Sequence, residues 1–413
     1  MLTKATAHDG KTESRVSYPD AIFTLGLSIM ILSLPLSEAL KNVGYAMAVV
    51  GWIVKRIVKR DFSVRMTSFG VALCVYLLVS LLSATFAVDQ REGLRGAWDV
   101  FRPLSLFVMM VNDVETRSRI RLYLLLFIIS TVIGVVWGLF DNLSGHNVRL
   151  QIRSLGYPIH TATYLVMMLA LLISLLLLME WSARVKMLIG TITGATVLAL
   201  FLTYSRGGWF AFAACLLFLS ISLKQWKPVV AVVMLVTMIL LGLQVTGRLW
   251  TRQIVMLAHL DQDDNTSQRL LMWRASILSM KERPLLGIGP RNFKNLDHER
   301  YGISRRFNDA HSLFFNTLAE RGILGFLALM AVLVCYLREA IRLRPFNDIF
   351  AKVLWHTATG SFVALVVAGI VNLTLHAETA IALCTFMALA LAAAKEATSA
   401  AWHAARMTCA QGQ

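Results

Sequence analysis

Apolar residues in this chain fall in runs close to 20 residues long, separated by short polar gaps. A helix needs about that length to cross about 30 Å of hydrocarbon at about 1.5 Å per residue. The runs predict twelve spans: 21–38, 42–58, 67–87, 94–112, 121–142, 158–179, 186–204, 208–223, 228–247, 322–338, 352–374 and 377–394. The expected fold class is an all-α polytopic membrane protein with about 12 transmembrane helices and one large, partly helical loop between helices 9 and 10. The run at 94–112 is the least regular, because Arg95, Asp99 and Arg102 interrupt it, and 208–223 is short. Residues 1–18 lack the apolar core and cleavage site of a signal peptide, so the first span is expected to double as the insertion signal.

Composition agrees with the pattern. Of 413 residues, 57% are hydrophobic and 15% charged, against about 45–50% and about 25% in soluble domains. The net charge of +16 would suggest nucleic acid in a soluble protein. Here it reads as the excess of Lys and Arg that membrane proteins keep in cytoplasmic loops. With the N-terminus inside, 21 of the 40 basic residues fall on the cytoplasmic side, among them the run Lys55-Arg56-Ile57-Val58-Lys59-Arg60. Both termini are therefore expected to be cytoplasmic, and no nucleic-acid partner is expected.

The chain then divides into 1–247, carrying helices 1–9; 248–321, a long loop on the far side; and 322–413, carrying helices 10–12 and a cytoplasmic tail. The loop is too long for a simple connector. Its large apolar residues, including Leu249, Trp250, Ile254 and Leu257, predict a small folded cap. Residues 248–259 read as an amphipathic interfacial helix. Leu270, Trp273, Ile277 and Met280 have helical spacing over 267–281, with Asn265 or Thr266 as the cap and Pro284 beyond the end.

Three segments carry candidate chemistry. In Thr203-Tyr204-Ser205-Arg206-Gly207-Gly208-Trp209, Arg206 stands at the start of a helix, where free N–H groups favour anions and glycines admit a ligand to the backbone. Guanidinium there suits phosphate; the plainer reading is an interface-anchoring arginine. In Arg283-Pro284-Leu285-Leu286-Gly287-Ile288-Gly289-Pro290-Arg291, the prolines and glycines fix a turn and present Arg291; the plainer reading is a structural turn. In Asp309-Ala310-His311-Ser312, Asp309 reads as a helix N-cap with His311 in the first turn, a setting that disfavours imidazolium and suits a general base. A merely hydrogen-bonded histidine is the alternative. Arg102, at membrane depth, faces either a cavity or the interface. No metal or other cofactor is expected: Asp261-Gln262-Asp263-Asp264-Asn265 departs from an EF-hand at Thr266 and Met272, and the histidines form no His-x-x-x-His or His-Glu-x-x-His pattern.

In order and spacing, Ser205-Arg206-Gly207-Gly208, Arg269…Trp273, Pro284-Leu285-Leu286-Gly287-Ile288-Gly289, Ala310-His311-Ser312 and Glu320-Arg321-Gly322-Ile323-Leu324-Gly325 resemble the motif set of the bacterial O-antigen ligase/polymerase family. Ser312 departs from the asparagine of many members. The resemblance implies a metal-independent inverting glycosyltransferase in the inner membrane, acting on the periplasmic face. It implies an undecaprenyl-diphosphate-linked polysaccharide as donor and lipid A–core as acceptor, in lipopolysaccharide biosynthesis. On this reading His311 is the general base, Arg206 and Arg291 hold the diphosphate, and Arg102 and Arg274 are further diphosphate or lipid A contacts. An O-antigen polymerase or a protein O-glycosyltransferase with the same donor, a secondary transporter and a non-catalytic scaffold are the competing readings.

Overall fold

The computed structural model describes residues 18–114, 116–147, 149–226, 264–303, 306–343, 348–375 and 377–411. Within them the chain forms α1 (Tyr18–Ser33), α2 (Glu38–Lys59), α3 (Ser68–Thr85), α4 (Gln90–Asp113), α5 (Arg117–Leu143) and α6 (Pro158–Leu178). α7 (Ala183–Leu202), α8 (Arg206–Leu223), α9 (Asp264–Glu282), α10 (Leu313–Arg342), α11 (Ile349–Val371) and α12 (Ala377–Gln411) follow. There is no strand among the described residues. Eight of the helices are long and apolar enough to cross a membrane. A helix overlies every predicted span except the ninth, 228–247, which lies outside the described residues together with the 248–259 segment.

Side-chain caps start several helices. Ser37, Thr67, Asp89, Ser205 and Asp348 each accept a backbone N–H of the turn they precede, removing one of the orphan donors at a helix start. α1 and α2 form a close hairpin because Gly26 and Gly44 face each other's backbones: a Cβ on Gly26 would stand 2.4 Å from the Ala48 nitrogen. α6, α11 and the first part of α12 are the most enclosed helices. α6 packs against α7, α8 and α11, while α4 packs against α3 and α12.

Several expectations change. The basic run at 55–60 is not a loop but the end of α2 and its αL cap at Arg60. Lys55 and Arg56 are buried there because acids meet them: Lys55 Nζ lies 2.8 Å from Asp20 and 2.7 Å from Asp113, and Arg56 lies 2.7 Å from Asp113. Arg119 also pairs with Asp20. α4 tolerates its charges for the same reason, Arg95 pairing with Glu92 and Arg102 with Asp99.

The span expected at 322–338 begins earlier, at Leu313, and runs through a break at Gly322. The inward face of α9 also differs from the expected stripe. Met272, Ala275, Ser276 and Ser279 are buried, whereas Leu270 and Ile277 are exposed. Small residues let α9 lie close to α10, with Trp273 stacked on Phe315 at 4.9 Å between ring centres. Met272, Ala275, Phe293, Ile303, Ala310 and Ala319 form a second, small hydrophobic cluster.

Candidate active site

Two motifs that are separate in sequence interlock in space. At Gly322 (φ 61°, ψ −161°) the α10 backbone leaves the helical region, which frees N–H groups after the break and carbonyls before it. The 284–289 turn satisfies them. Ile323 and Leu324 donate to the Pro284 and Leu285 carbonyls at 2.8 and 3.3 Å. Ile288 and Gly289 donate to the Ala319 and Glu320 carbonyls at 3.1 and 2.8 Å. The fit needs glycine: a Cβ on Gly287 would stand 2.4 Å from the Ala319 oxygen.

This interlock sets the backbone at Arg291, which has φ 58°. The buried Glu320 carboxylate accepts the backbone N–H groups of Arg291 and Phe293. Arg321 balances its charge at 3.2 Å, while donating to Ser80 Oγ at 2.9 Å and lying over the Tyr76 ring. The other side of the turn meets the start of α4, where Asp89 N–H donates to Asn292 Oδ1 at 2.8 Å. Arg291 Nε then donates to Asp99 Oδ2 at 2.6 Å.

His311 lies before α10, not in its first turn. Ser312 is the N-cap, and His311 takes a left-handed conformation with φ 47°. Asp309 does not cap the helix. Its Oδ1 accepts the His311 backbone N–H at 2.7 Å and stands 3.5 Å from His311 Nδ1. A carboxylate beside Nδ1 favours the tautomer that leaves Nε2 free to accept a proton. Phe307 meets the imidazole edge-on at 5.9 Å.

Arg206 is the first residue of α8 and is exposed. The two glycines after it serve packing rather than ligand approach. A Cβ on Gly207 would stand 2.3 Å from Asn372 Nδ2, and one on Gly208 would stand 2.6 Å from Ala162 Cβ. Asn372 is the joint. Its carbonyl accepts the Leu313 N–H at 3.0 Å, so the start of α8 and the start of α10 meet through one residue. Arg206 thus precedes the residue that packs on Asn372, and His311 lies two residues before the one that bonds to it.

Arg269 of α9 completes the group. Burial lowers its pKa, and the neighbouring charge of Arg206 lowers it further, while Asp309 acts the other way. Arg274 lies on the exposed side of α9, and Arg102 is buried in α4 beside Asp99.

A cavity of about 570 Å³ opens here. Its charged end is lined by Asp99, Arg291, Lys294, Arg306, Asp309 and His311, and its far end by Phe69, Leu73, Val332, Tyr336, Phe362 and Leu383. Arg206 is not part of that wall. From the break at Gly322 to Tyr336 is about 21 Å at about 1.5 Å per residue, so the cavity passes from polar to apolar along the helix axis. Among the described residues no three His, Cys, Asp or Glu side chains gather as metal ligands.

The residues that the geometry adds to the candidate site are Asp309 as a partner of His311, Arg269, Asp99, Glu320 and Asn372. Arg269 and Glu320 are visible as motif members, whereas nothing near Asn372 marks it. No curated protein matches the chain. Residues 191–330, which hold Arg206, Arg269, Arg291, His311 and the break at Gly322, match the O-Antigen ligase family.

Proposed function

We propose that this chain is an O-antigen ligase. It transfers a polysaccharide from undecaprenyl diphosphate to a sugar hydroxyl of lipid A–core, with the His311 end of the bundle facing the periplasm and both termini in the cytoplasm. The observation that supports this most is that His311 and Asp309 stand with Arg291, Lys294 and Arg306 at the charged end of a cavity that turns apolar, while Asp309 also acts on Arg269, which lies within reach of the Arg206 charge. A lipid-linked diphosphate has that same division between head and chain.

In the proposed reaction His311 Nε2 takes the acceptor hydroxyl proton. The freed oxygen attacks the anomeric carbon from the face opposite the diphosphate, and the C–O bond to phosphate breaks with its electron pair going to the leaving diphosphate. The configuration inverts. Arg206, Arg269 and Arg291 offset the charge that grows on the leaving group. Loss of one such donor typically costs about 10²–10³ in rate, and loss of a positioned base about 10²–10⁴. The sugar–phosphate bond supplies the driving force, so the reaction calls for neither ATP nor a metal.

The test is reconstitution of the purified protein with lipid-linked polysaccharide and lipid A–core. Transfer to lipid A–core that survives chelation and disappears in His311→Ala is expected. Elongation of the lipid-linked glycan, with no product on lipid A–core, would instead identify a polymerase.

A further inference from the structure

A second cavity, of about 590 Å³, lies between α2 and α4. Its wall shares two residues with the first, Asp99 and Arg291, and these two are joined at 2.6 Å. One ion pair therefore forms the partition between the two cavities. The second is also graded. Arg95, Arg102, Arg291 and Asp99 line its charged end, with Glu92 paired to Arg95 and Glu38 4.0 Å from Arg102, and Ala46, Val49 and Val50 line the rest. From Asn42 to Val50 is about 12 Å along α2 at about 1.5 Å per residue. Trp98, stacked on Phe101 at 5.2 Å and edge-on to Tyr45 at 6.3 Å, lies at the boundary, a level where amphipathic rings settle in membranes.

Arg102 carries the argument further. It is buried, its Nη2 donates to Asp99 at 2.8 Å, and its Nη1 reaches Asn42 only at 3.4 Å. Its Nε has no hydrogen-bond partner among the described residues. A buried guanidinium with an unused donor is costly unless something accepts from it. The open Arg102 Nε at this spot calls for an anion's oxygen, and the apolar floor calls for a chain attached to it.

We propose that the α2–α4 cavity seats the phosphorylated lipid end of the acceptor, with phosphate on Arg102 and Arg95 and an acyl chain along Val49 and Val50. This rests on the glycosyl-transfer reading above: a reaction between two lipid-anchored molecules needs two lipid seats. Here the seats lie back to back across Asp99–Arg291, so the donor enters on one side of that pair and the acceptor on the other.

The experiment measures retention of three lipids by the purified full-length chain: bis-phosphorylated lipid A, its dephosphorylated form, and phosphatidylglycerol. Native mass spectrometry reads the bound lipid without any turnover, so the result stands apart from whether transfer occurs. Arg102→Gln is expected to weaken retention of bis-phosphorylated lipid A about tenfold or more. Dephosphorylated lipid A should bind as weakly to the unaltered chain. Val49→Trp fills the apolar part without touching a charge and is expected to weaken retention similarly, which keeps the test sound if Arg102→Gln fails to fold. Retention of undecaprenyl diphosphate should stay within about twofold in Val49→Trp. Equal retention of lipid A by both variants and the unaltered chain would overturn the proposal. So would preferential retention of phosphatidylglycerol, which would mark the cavity as a seat for ordinary membrane lipid.

Discussion

Gly207→Ala tests whether the meeting of α8 with α10 is what assembles the site. The added Cβ would stand 2.3 Å from Asn372 Nδ2, 3.0 Å from Val371 Cγ2 and 3.3 Å from Asn372 Cγ. Contacts that short must be relieved by movement, and insertion of a carbon into a filled site costs about 1–3 kcal/mol. The movement has a direction. Asn372 is tied by its carbonyl to Leu313, two residues beyond His311, and Gly207 is next to Arg206. Relief of the clash by backbone movement separates Arg206 from His311, whereas rotation of the Asn372 side chain alone would leave them in place. In the proposed reaction a shift near 1 Å between base and diphosphate would lower turnover about 10²-fold.

The control is Gly207→Ala combined with Asn372→Ala. Truncating Asn372 removes the two atoms nearest the new methyl group that belong to its side chain. It forfeits little, because buried Asn372 Nδ2 has no hydrogen-bond partner among the described residues. The link to Leu313 is made by backbone and survives. Transfer rate in the reconstituted assay and thermal unfolding in the same detergent would be measured for both single variants and the pair. The expected pattern is a large rate loss in Gly207→Ala, little in Asn372→Ala, and recovery in the pair to within about tenfold, with coupling beyond about 0.5 kcal/mol. Full activity in Gly207→Ala, or additive losses in the pair, would refute the claim that this contact sets the geometry.

Arg269→Gln should lower transfer about 10²-fold and weaken retention of inorganic pyrophosphate, whereas Arg274→Gln, on the exposed side of α9, should change both less than about threefold. Glu320→Ala removes the acceptor for Arg291 and Phe293 N–H and leaves buried Arg321 without its carboxylate, so a loss of about 3 kcal/mol or more in unfolding free energy is expected; Glu320→Gln should retain more of it. His298 gives a pH effect. Burial lowers its pKa from the ordinary 6.5, and its neutral ring donates from Nδ1 to the Leu296 carbonyl and accepts the Phe307 N–H at Nε2. The unfolded chain then binds the proton more readily, so this stability is present above pH 6.5 and is lost as pH falls through the lower folded value. Thermal unfolding followed from pH 7.5 down to 5.0 should show an acid-side drop that is smaller in His298→Gln.

The helices were legible because their signal is length and hydropathy, which act along the chain. A helix covers 121–142 and 158–179 to within a few residues. What sequence conceals is compensation across space. Lys55 and Arg56 look like loop residues until Asp20 and Asp113, from two other helices, are placed beside them. The Pro-x-x-Gly-x-Gly turn and the Glu-x-Gly-x-x-Gly segment each look like an isolated bend; only in three dimensions does one satisfy the broken backbone of the other. Gly207 illustrates the same limit. A glycine at a helix start suits either a ligand or a neighbouring helix, and the neighbour that decides it, Asn372, lies far along the chain.

Charge is also arranged differently at the two ends of the bundle, and that contrast separates structure from function. At the end where α2 and α4 finish, Asp20 and Asp113 are in direct contact with Lys55, Arg56 and Arg119. Trp52 adds an N–H to Asp113 at 2.6 Å. Such a closed network recoups part of its own desolvation cost and needs no outside ion. At the opposite end burial, and after it the neighbouring charge of Arg206, lower the pKa of Arg269. Asp309, the carboxylate that acts on Arg269, is also tied to the His311 backbone. Folding alone gains nothing from placing like charges together, and the unfavourable term disappears once a multiply charged anion lies between them. The cost held in that pair of arginines is thus released by the diphosphate that the proposed reaction requires, and a measured Arg269 that binds no pyrophosphate would break this link between the electrostatics and the chemistry.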